Sequence, residues 1–408
     1  ETVSNNIIDY IGKDFTIYTL SFNAVNNAPT SPAITEIFQF KTDNEEENIQ
    51  TFNQIIEERN ITHIINQGIY PHITNIIFNP DRKKDVKIIS VLHGMPKYEN
   101  SQYWQLPHIL KANKKKQIKR RFLFHIGLNY KYKRYIRSFY DSYRKACIKG
   151  DQIIVLCNEY IKPFINEYHL KKYQEKVIAI ENPLSPLFSE QKNIEWTQKK
   201  NQVIFVGRLS EEKQIHIILD IWERIGKITN WDLVIIGDGC IRQKLEQTVR
   251  DKQIQRVSFT GQVNHPEEYY KSAKIILLTS SFEGFPMCLI EALRFGVIPL
   301  TFDISAGVRS IVSNSGGIII KNRNCYFKQG VEWSDLTTGS FGARMVRGGF
   351  IFDACSPTLF IVGGCTYEFI LGFMNTNVFQ KYMNILSPTM HYNICNVVQV
   401  PLIKNNTE

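Results

Sequence analysis

The sequence predicts an α/β fold built on a doubly wound parallel sheet, and three observations carry that prediction. Short β-branched apolar runs recur, each ending in glycine or small polar residues; helical patterns follow them; and four such alternations fall within about 100 residues in the second half. In the first half, KDFTIYTLSF (13–22), ITHIINQG (61–68) and VKIISVLHG (86–94) read as strands with polar segments between them. DQIIVLCNEY (151–160) and KVIAIENPLS (176–185) follow, completing a first αβ domain. His93 closes the third of these runs, at the carboxyl end of a strand, where crevice residues of such sheets sit. A single histidine there is also compatible with a plain structural hydrogen bond.

In the second half, a strand at 203–206 runs into Gly207-Arg208 and Lys213, and an amphipathic helix starts near Gln214. WDLVIIGDG (231–239) and VSFTGQV (257–263) repeat the strand-then-glycine unit. The strand at 275–278 ends in Thr279-Ser280-Ser281 and reaches Glu283-Gly284-Phe285-Pro286. A helix begins near Pro286, since proline's missing N–H has no partner in a first turn anyway. Met287, Ile290, Leu293 and Arg294 keep helical spacing until Gly296 stops it, and another strand follows at 297–301.

This layout places Arg208 and Lys213 at one strand-to-helix junction, where cations neutralise a diphosphate. It places Glu283 at another, beside a helix N-terminus that favours an anion, with Glu291 two turns into the helix. Carboxylates accept paired hydrogen bonds from vicinal hydroxyls, so the chemistry suggested is a sugar or ribose near a phosphate. Two glutamates eight positions apart also occur on ordinary exposed helices.

Residues 200 to about 321 resemble the donor-nucleotide domain of a family 4, GT-B-type retaining glycosyltransferase, with Glu283 and Glu291 matching that family's E-x7-E signature. The resemblance implies two Rossmann-like domains facing a cleft, 1–183 on the acceptor side and 184–321 on the donor-nucleotide side. It implies that Arg208, Lys213 and the Gly284-Phe285 backbone bind the donor diphosphate and that Glu291 holds the ribose. Glu283 faces the donor sugar, His93 lies near the transferred sugar, and Gln262-Val263 contact the base. Asn182-Pro183-Leu184 matches the interdomain linker and carries no catalytic role. The implied reaction moves a sugar, with retention, from a nucleotide-diphosphate sugar to a glycan or lipid-linked acceptor in surface polysaccharide synthesis. Fixed cations and helix-terminal N–H groups stabilise a leaving diphosphate without a metal, and no Asp-x-Asp stands in a suitable loop, so neither metal nor cofactor is expected.

The composition allows two ordinary cores: 408 residues, 43% hydrophobic, with no uninterrupted apolar span long enough for a membrane helix. Eight cysteines without a C-x2-C pair read as reduced thiols in a cytosol, and the chain as cytoplasmic. The net charge of +10 is concentrated between Lys111 and Lys149, where 14 Lys/Arg face one acid, Asp141, and aromatic residues interleave with the charge. Such a stretch suits an anionic membrane surface on the inner face of the plasma membrane, with nucleic acid as the competing partner and a solvated basic helix as the plain reading.

Two features depart from the family. Glu1 falls where the family's glycine-rich first loop leads into its first helix, so the first strand and that loop are expected to be absent. After SGGIIIK (315–321) the helical period weakens, and a helix-free tail of short strands, packing loosely, is expected in place of the family's closing helices. Residues 325–403 resemble the target-recognition region of phage-defence and type IIG adenine-specific DNA methyltransferases. The matching pieces are Trp333-Ser334, Gly349-Phe350-Ile351-Phe352-Asp353, and Leu386-Ser387-Pro388-Thr389 with Asn393. No Asn-Pro-Pro-Tyr/Phe motif accompanies them. The chain therefore reads as a composite in which 322–408 is a foreign segment; the alternatives are a lineage-specific domain, or a non-catalytic chain whose tail is a DNA-recognition fragment.

Overall fold

The computed structural model describes residues 2–402, apart from 22–30, 41–43, 84, 97–117, 186–187, 189–194, 314, 321–324, 326–327, 349–355, 362–364 and 390; within the helix opening at residue 118, side chains are described from 133 onward. The chain divides into two compact units, Glu1–Ile320 and Lys321–Glu408.

The first unit opens with a helix, Thr2–Ile11, and a parallel pair, β1 (Ile17–Ser21) and β2 (Ile34–Gln39). A four-stranded parallel sheet follows in the order β3 (His63–Asn66), β4 (Lys87–Leu92), β5 (Gln152–Val155) and β6 (Val177–Ala179). Each strand lies inside an apolar run of the sequence. Local chemistry sets the helix that leads into β3: Asn44 caps Glu45–Glu58 by accepting from Glu46 N–H, and three glutamates in the first turn complement the helix dipole. Ile88, Ile153, Leu156 and Phe164 form the buried centre of this half.

The second sheet is wholly parallel and contains β7 (Gln202–Val206), β8 (Asp232–Ile236), β9 (Val257–Gly261), β10 (Ile275–Leu278), β11 (Ile298–Phe302) and β12 (Ile318–Ile320). Their spatial order is β12-β11-β10-β7-β8-β9. The connections therefore change direction between β7 and β10, and the crevice outside the carboxyl ends at that switch point is where doubly wound sheets take their ligands. Alternate residues of β7 explain the two-sided core: Ile204 packs with Ile276, Leu278 and Leu289, whereas Phe205 packs with Leu209, Ile218 and Trp222.

The helix after β10 spans Met287–Arg294, with Pro286 as its cap. Gly296 ends it at φ +67, its N–H reaching Leu293 O (3.0 Å) while Val297 N–H reaches Ala292 O (2.9 Å), a closure that needs a residue at ease in the left-handed region.

The second unit corrects the expectation for the tail. An antiparallel sheet places β13 (Gly330–Trp333) between β14 (Ala343–Val346) and β15 (Thr358–Leu359), and three helices follow, Tyr367–Met374, Asn377–Leu386 and Ile394–Val397. Their starts were legible: Thr366, Thr376 and Asn393 each accept from the N–H three residues on. Nor is the packing loose, because Trp333, Phe341, Phe379 and Met383 are buried in one core and Trp333 Nε1 donates to Tyr392 O at 2.6 Å. Ser387 and Asn393 lie in this unit, Ser387 bonding His391 O; residues 349–353 lie outside the described residues.

No described helix is long and apolar enough to cross a membrane. The seven described cysteines are free thiols.

Candidate functional site

The site grows from the loops after β7 and β10, the two strands flanking the switch point. After β7 the chain makes a tight turn, Glu211–Lys213, and enters the Ile215–Ile225 helix through Gln214, a non-glycine residue at φ +50. The loop after β10 is stitched to that turn: Thr279 Oγ1 donates to Lys213 O (2.9 Å) and Ser281 N–H to Glu212 O (2.7 Å). This stitching brings two sequence-predicted residues into contact. Lys213 Nζ lies 2.6 Å from Glu283 Oε1, and Ser280 Oγ donates to the same oxygen at 2.7 Å. Their side chains are only 22% and 13% exposed. Burial opposes the charge on Lys213, but the Glu283 carboxylate outweighs it and holds the ammonium above its usual range.

Glycines make the floor. Gly237, after β8, sits at φ +131 with a Cβ position only 1.9 Å from Gly207 O, so no side chain fits where the β7 and β8 loops cross. Arg208, which follows Gly207, is exposed, and its guanidinium makes no hydrogen bond or ion pair with a described residue. Gln262 is exposed beyond β9, and Val263 packs against the cluster containing Tyr270 and Phe295.

Glu291 lies deeper. The hydroxyl of Tyr270 donates to its Oε2 at 2.7 Å, and Tyr270 is fully buried with its ring stacked on Phe295, centroids 5.9 Å apart. Burial raises the Glu291 carboxyl above the usual range, and the Tyr270 bond only partly offsets this. Cys288, one turn earlier, has its thiol pushed up to about 12 by burial and by the neighbouring Glu283 carboxylate.

His93 approaches from the first domain. Its Nε2 is 2.6 Å from Gln67 Oε1, and burial lowers its pKa, favouring the neutral ring at pH 7. The His93 carbonyl lies 2.2 Å from where a Cβ on Gly284 would stand, so the two backbones could not approach this closely with a side chain there. The Phe285 side chain is buried in the first domain's core, which leaves only its backbone for the donor role expected of it. Two residues that the sequence reading left without a role meet the same loop: Tyr160 bonds Gly284 O, and Asn182 Nδ2 donates to Phe285 O at 3.3 Å. Nothing in a strand-end tyrosine or a linker asparagine marks such contacts in advance.

The family described as Glycosyl transferases group 1 matches residues 188–325. In solved structures, the lipopolysaccharide outer core galactosyltransferase WaaB in its apo form is similar at TM-score 0.53 and 18% identity, over 79% of this chain and 82% of that one. Anabaena Alr3699/HepE in complex with UDP and glucose is similar at TM-score 0.55 and 13% identity, over 79% and 82%. The fold is GT-B. In sequence, the amylovoran biosynthesis glycosyltransferase AmsD of Erwinia amylovora is 32% identical over 133 residues, 32% of this chain and 38% of AmsD. A stretch of 81 residues is 35% identical to the adenine-specific methyltransferase PglX of Lacticaseibacillus casei, 20% of this chain and 7% of PglX. The chain thus spans well under half the length of these curated relatives. Within the GT-B fold, the Lys213–Glu283 pair falls in the segment that the glycosyl transferase family matches.

Proposed function

We propose that this chain transfers a sugar, with retention, from a nucleoside-diphosphate sugar to a glycan or lipid-linked acceptor in surface polysaccharide synthesis. The observation that carries the reading is the Lys213–Glu283 contact at the switch point of the second sheet. A partly buried ammonium there offers a diphosphate a fixed counter-charge, with Arg208 as a second cation and the N-terminus of the Met287–Arg294 helix as a third source of positive potential. Glu291 accepts from the ribose with the oxygen that Tyr270 does not occupy, and Gln262-Val263 meet the base. Glu283 and the neutral His93 face the donor sugar, and the Gly284-Phe285 backbone lines the diphosphate. The surface-glycan enzymes among the similar proteins, AmsD and WaaB, support the acceptor class, and the UDP bound to HepE supports the donor class. In this reading 1–183 and 184–321 are the acceptor-side and donor-side domains and the enzyme acts without a metal.

Calorimetric titration with UDP-, GDP- and ADP-sugars tests donor binding, and the anomeric configuration of the product, read by NMR, tests retention. Binding that requires a divalent cation and ignores Lys213 would overturn the assignment. The resemblance of 325–403 to a methyltransferase recognition region gives a second reading for that segment, a DNA-recognition fragment without chemistry, which a duplex-DNA shift assay decides. Residues 111–117 and the side chains of 118–132 lie outside the described residues. Salt-dependent retention on anionic but not neutral vesicles tests the basic stretch as a membrane contact.

A further inference from the structure

The hydroxyl of Tyr160 joins three elements of the first unit. It sits in the Asn158–Glu167 helix of the first domain and donates to Gly284 O at 2.8 Å, in the loop that carries Glu283. It accepts from Gly307 N–H at 3.1 Å, in the first turn of the Ala306–Ser313 helix of the second domain. The ring is buried, 3% exposed. An N–H at a helix start, pointed at the hydroxyl oxygen, polarises the O–H and strengthens the bond it donates. Gly307 has to be glycine for this to occur, since a Cβ there would stand 2.0 Å from Gly284 O. Asn182 adds a parallel bond to the next carbonyl, Phe285 O, and the Phe285 ring is held in the first domain's core.

A trans peptide is planar, with its C=O and N–H antiparallel, so fixing the Gly284 carbonyl fixes the direction of the Phe285 N–H. That N–H meets no acceptor among the described residues. We propose that Tyr160 is a positioning residue, which turns the Gly284–Phe285 peptide so that the Phe285 N–H points away from the first domain and toward the donor crevice. The loop bearing Glu283 therefore takes its working orientation only when the first domain is docked against the second. Tyr160 touches no substrate; it acts through the peptide. The inference rests on the proposed donor site, because it gives the freed N–H a diphosphate or sugar oxygen to meet.

Hydrogen exchange of the full chain, followed by mass spectrometry in peptides 282–289 and 303–309 with 202–206 as a control, tests the geometry without requiring activity. Tyr160→Phe should speed exchange about tenfold in both peptides and leave the control unchanged. Asn182→Ala should speed it in 282–289 alone. In the unaltered chain, saturating UDP should slow both peptides together. Release of UDP from UDP-glucose, UDP-galactose and UDP-N-acetylgalactosamine supplies the second readout. Turnover in Tyr160→Phe should fall about tenfold while UDP affinity falls by less than that, since Lys213 and Arg208 are untouched, a split that a loss of folding would not produce. Unchanged exchange in both peptides of Tyr160→Phe would overturn the proposal, as would acceleration spread equally to the control. If Tyr160→Phe does not fold, the unaltered chain decides: UDP slowing one peptide without the other sinks the coupling. Failure of UDP and of every UDP-sugar to bind would instead overturn the donor-site reading, with the exchange pattern of Tyr160→Phe still judging the positioning role.

Discussion

Lys213 Nζ lies 2.6 Å from Glu283 Oε1, although the two residues stand 70 positions apart and reach each other from loops on either side of the switch point. The ammonium is thus already engaged, and a diphosphate entering the crevice has to share it with a carboxylate.

The two partners should then respond oppositely. Lys213→Ala removes the counter-charge and should weaken UDP binding by about 1.5–3 kcal/mol, the worth of a charge-assisted hydrogen bond. Glu283→Gln releases the ammonium and keeps the acceptor for Ser280 Oγ, so UDP affinity should hold or rise while sugar transfer falls. Calorimetry beside a turnover assay measures both. Parallel losses of affinity in the two variants would place the phosphates elsewhere.

Glu291 should reveal itself through pH. Its folded pKa is raised by burial, so the native state holds a proton more tightly than the unfolded chain, and stability is given up as pH climbs through and above the ordinary carboxyl value of about 4.3. Glu291→Gln keeps an acceptor for the Tyr270 hydroxyl and removes that cost. The variant should match the parent in thermal midpoint near pH 4 and exceed it at pH 7.5, while losing ribose recognition. A variant less stable than the parent at pH 7.5 would mean that the carboxylate is a net support.

Lys199 has the opposite sign. Its Nζ donates to the carbonyls of Tyr270, Lys271 and Ala273 at 2.8, 3.0 and 3.0 Å, with burial lowering its pKa to about 8. Between pH 8 and the ordinary lysine value of about 10.4 the unfolded chain holds a proton that the folded one has released, so stability rises with pH across that window and the benefit is lost below it. The gain should be on the order of 1–3 kcal/mol, reduced because a neutral amine donates to fewer carbonyls. Urea titrations at pH 7.5 and 10 should show this slope in the parent and a flatter one in Lys199→Met. Equal slopes would show that the amine keeps its proton throughout.

The sheet was legible in the sequence because each strand after residue 60 in the first unit is a short β-branched run ended by polar or glycine residues, and Gly296 announces its helix end through a backbone shape that few other residues accept. Lys213 and Glu283 were legible as strand-end residues, but their contact was not, since it depends on the sheet's spatial order placing β7 beside β10. Tyr160, Asn182 and Tyr270 escaped for a related reason: each acts through hydrogen bonds to residues distant in sequence or on a separate helix, and no local period encodes that. The helices after residue 365 were hidden by their aromatic and glycine content, although the cap residues Thr366, Thr376 and Asn393 were in view.

The second unit should fold and unfold on its own. Lys321–Glu408 has a core of its own around Trp333, which is 2% exposed and hydrogen-bonded to Tyr392 O. Trp333→Ala removes a large buried ring, leaves the Tyr392 carbonyl without its donor and should cost this unit about 3–5 kcal/mol. A unit of this size has a total stability of the same order, so it should unfold in the variant at ordinary temperature. The Glu1–Ile320 unit draws its three core clusters wholly from its own residues, so its melting and its affinity for UDP should stay as in the parent. Calorimetric scans should therefore show two transitions in the parent and the loss of one in Trp333→Ala. Any duplex-DNA binding should vanish with it, because a recognition surface cannot outlast the core that holds it. A variant that loses UDP binding together with the tail's transition would make Lys321–Glu408 a working part of the donor site.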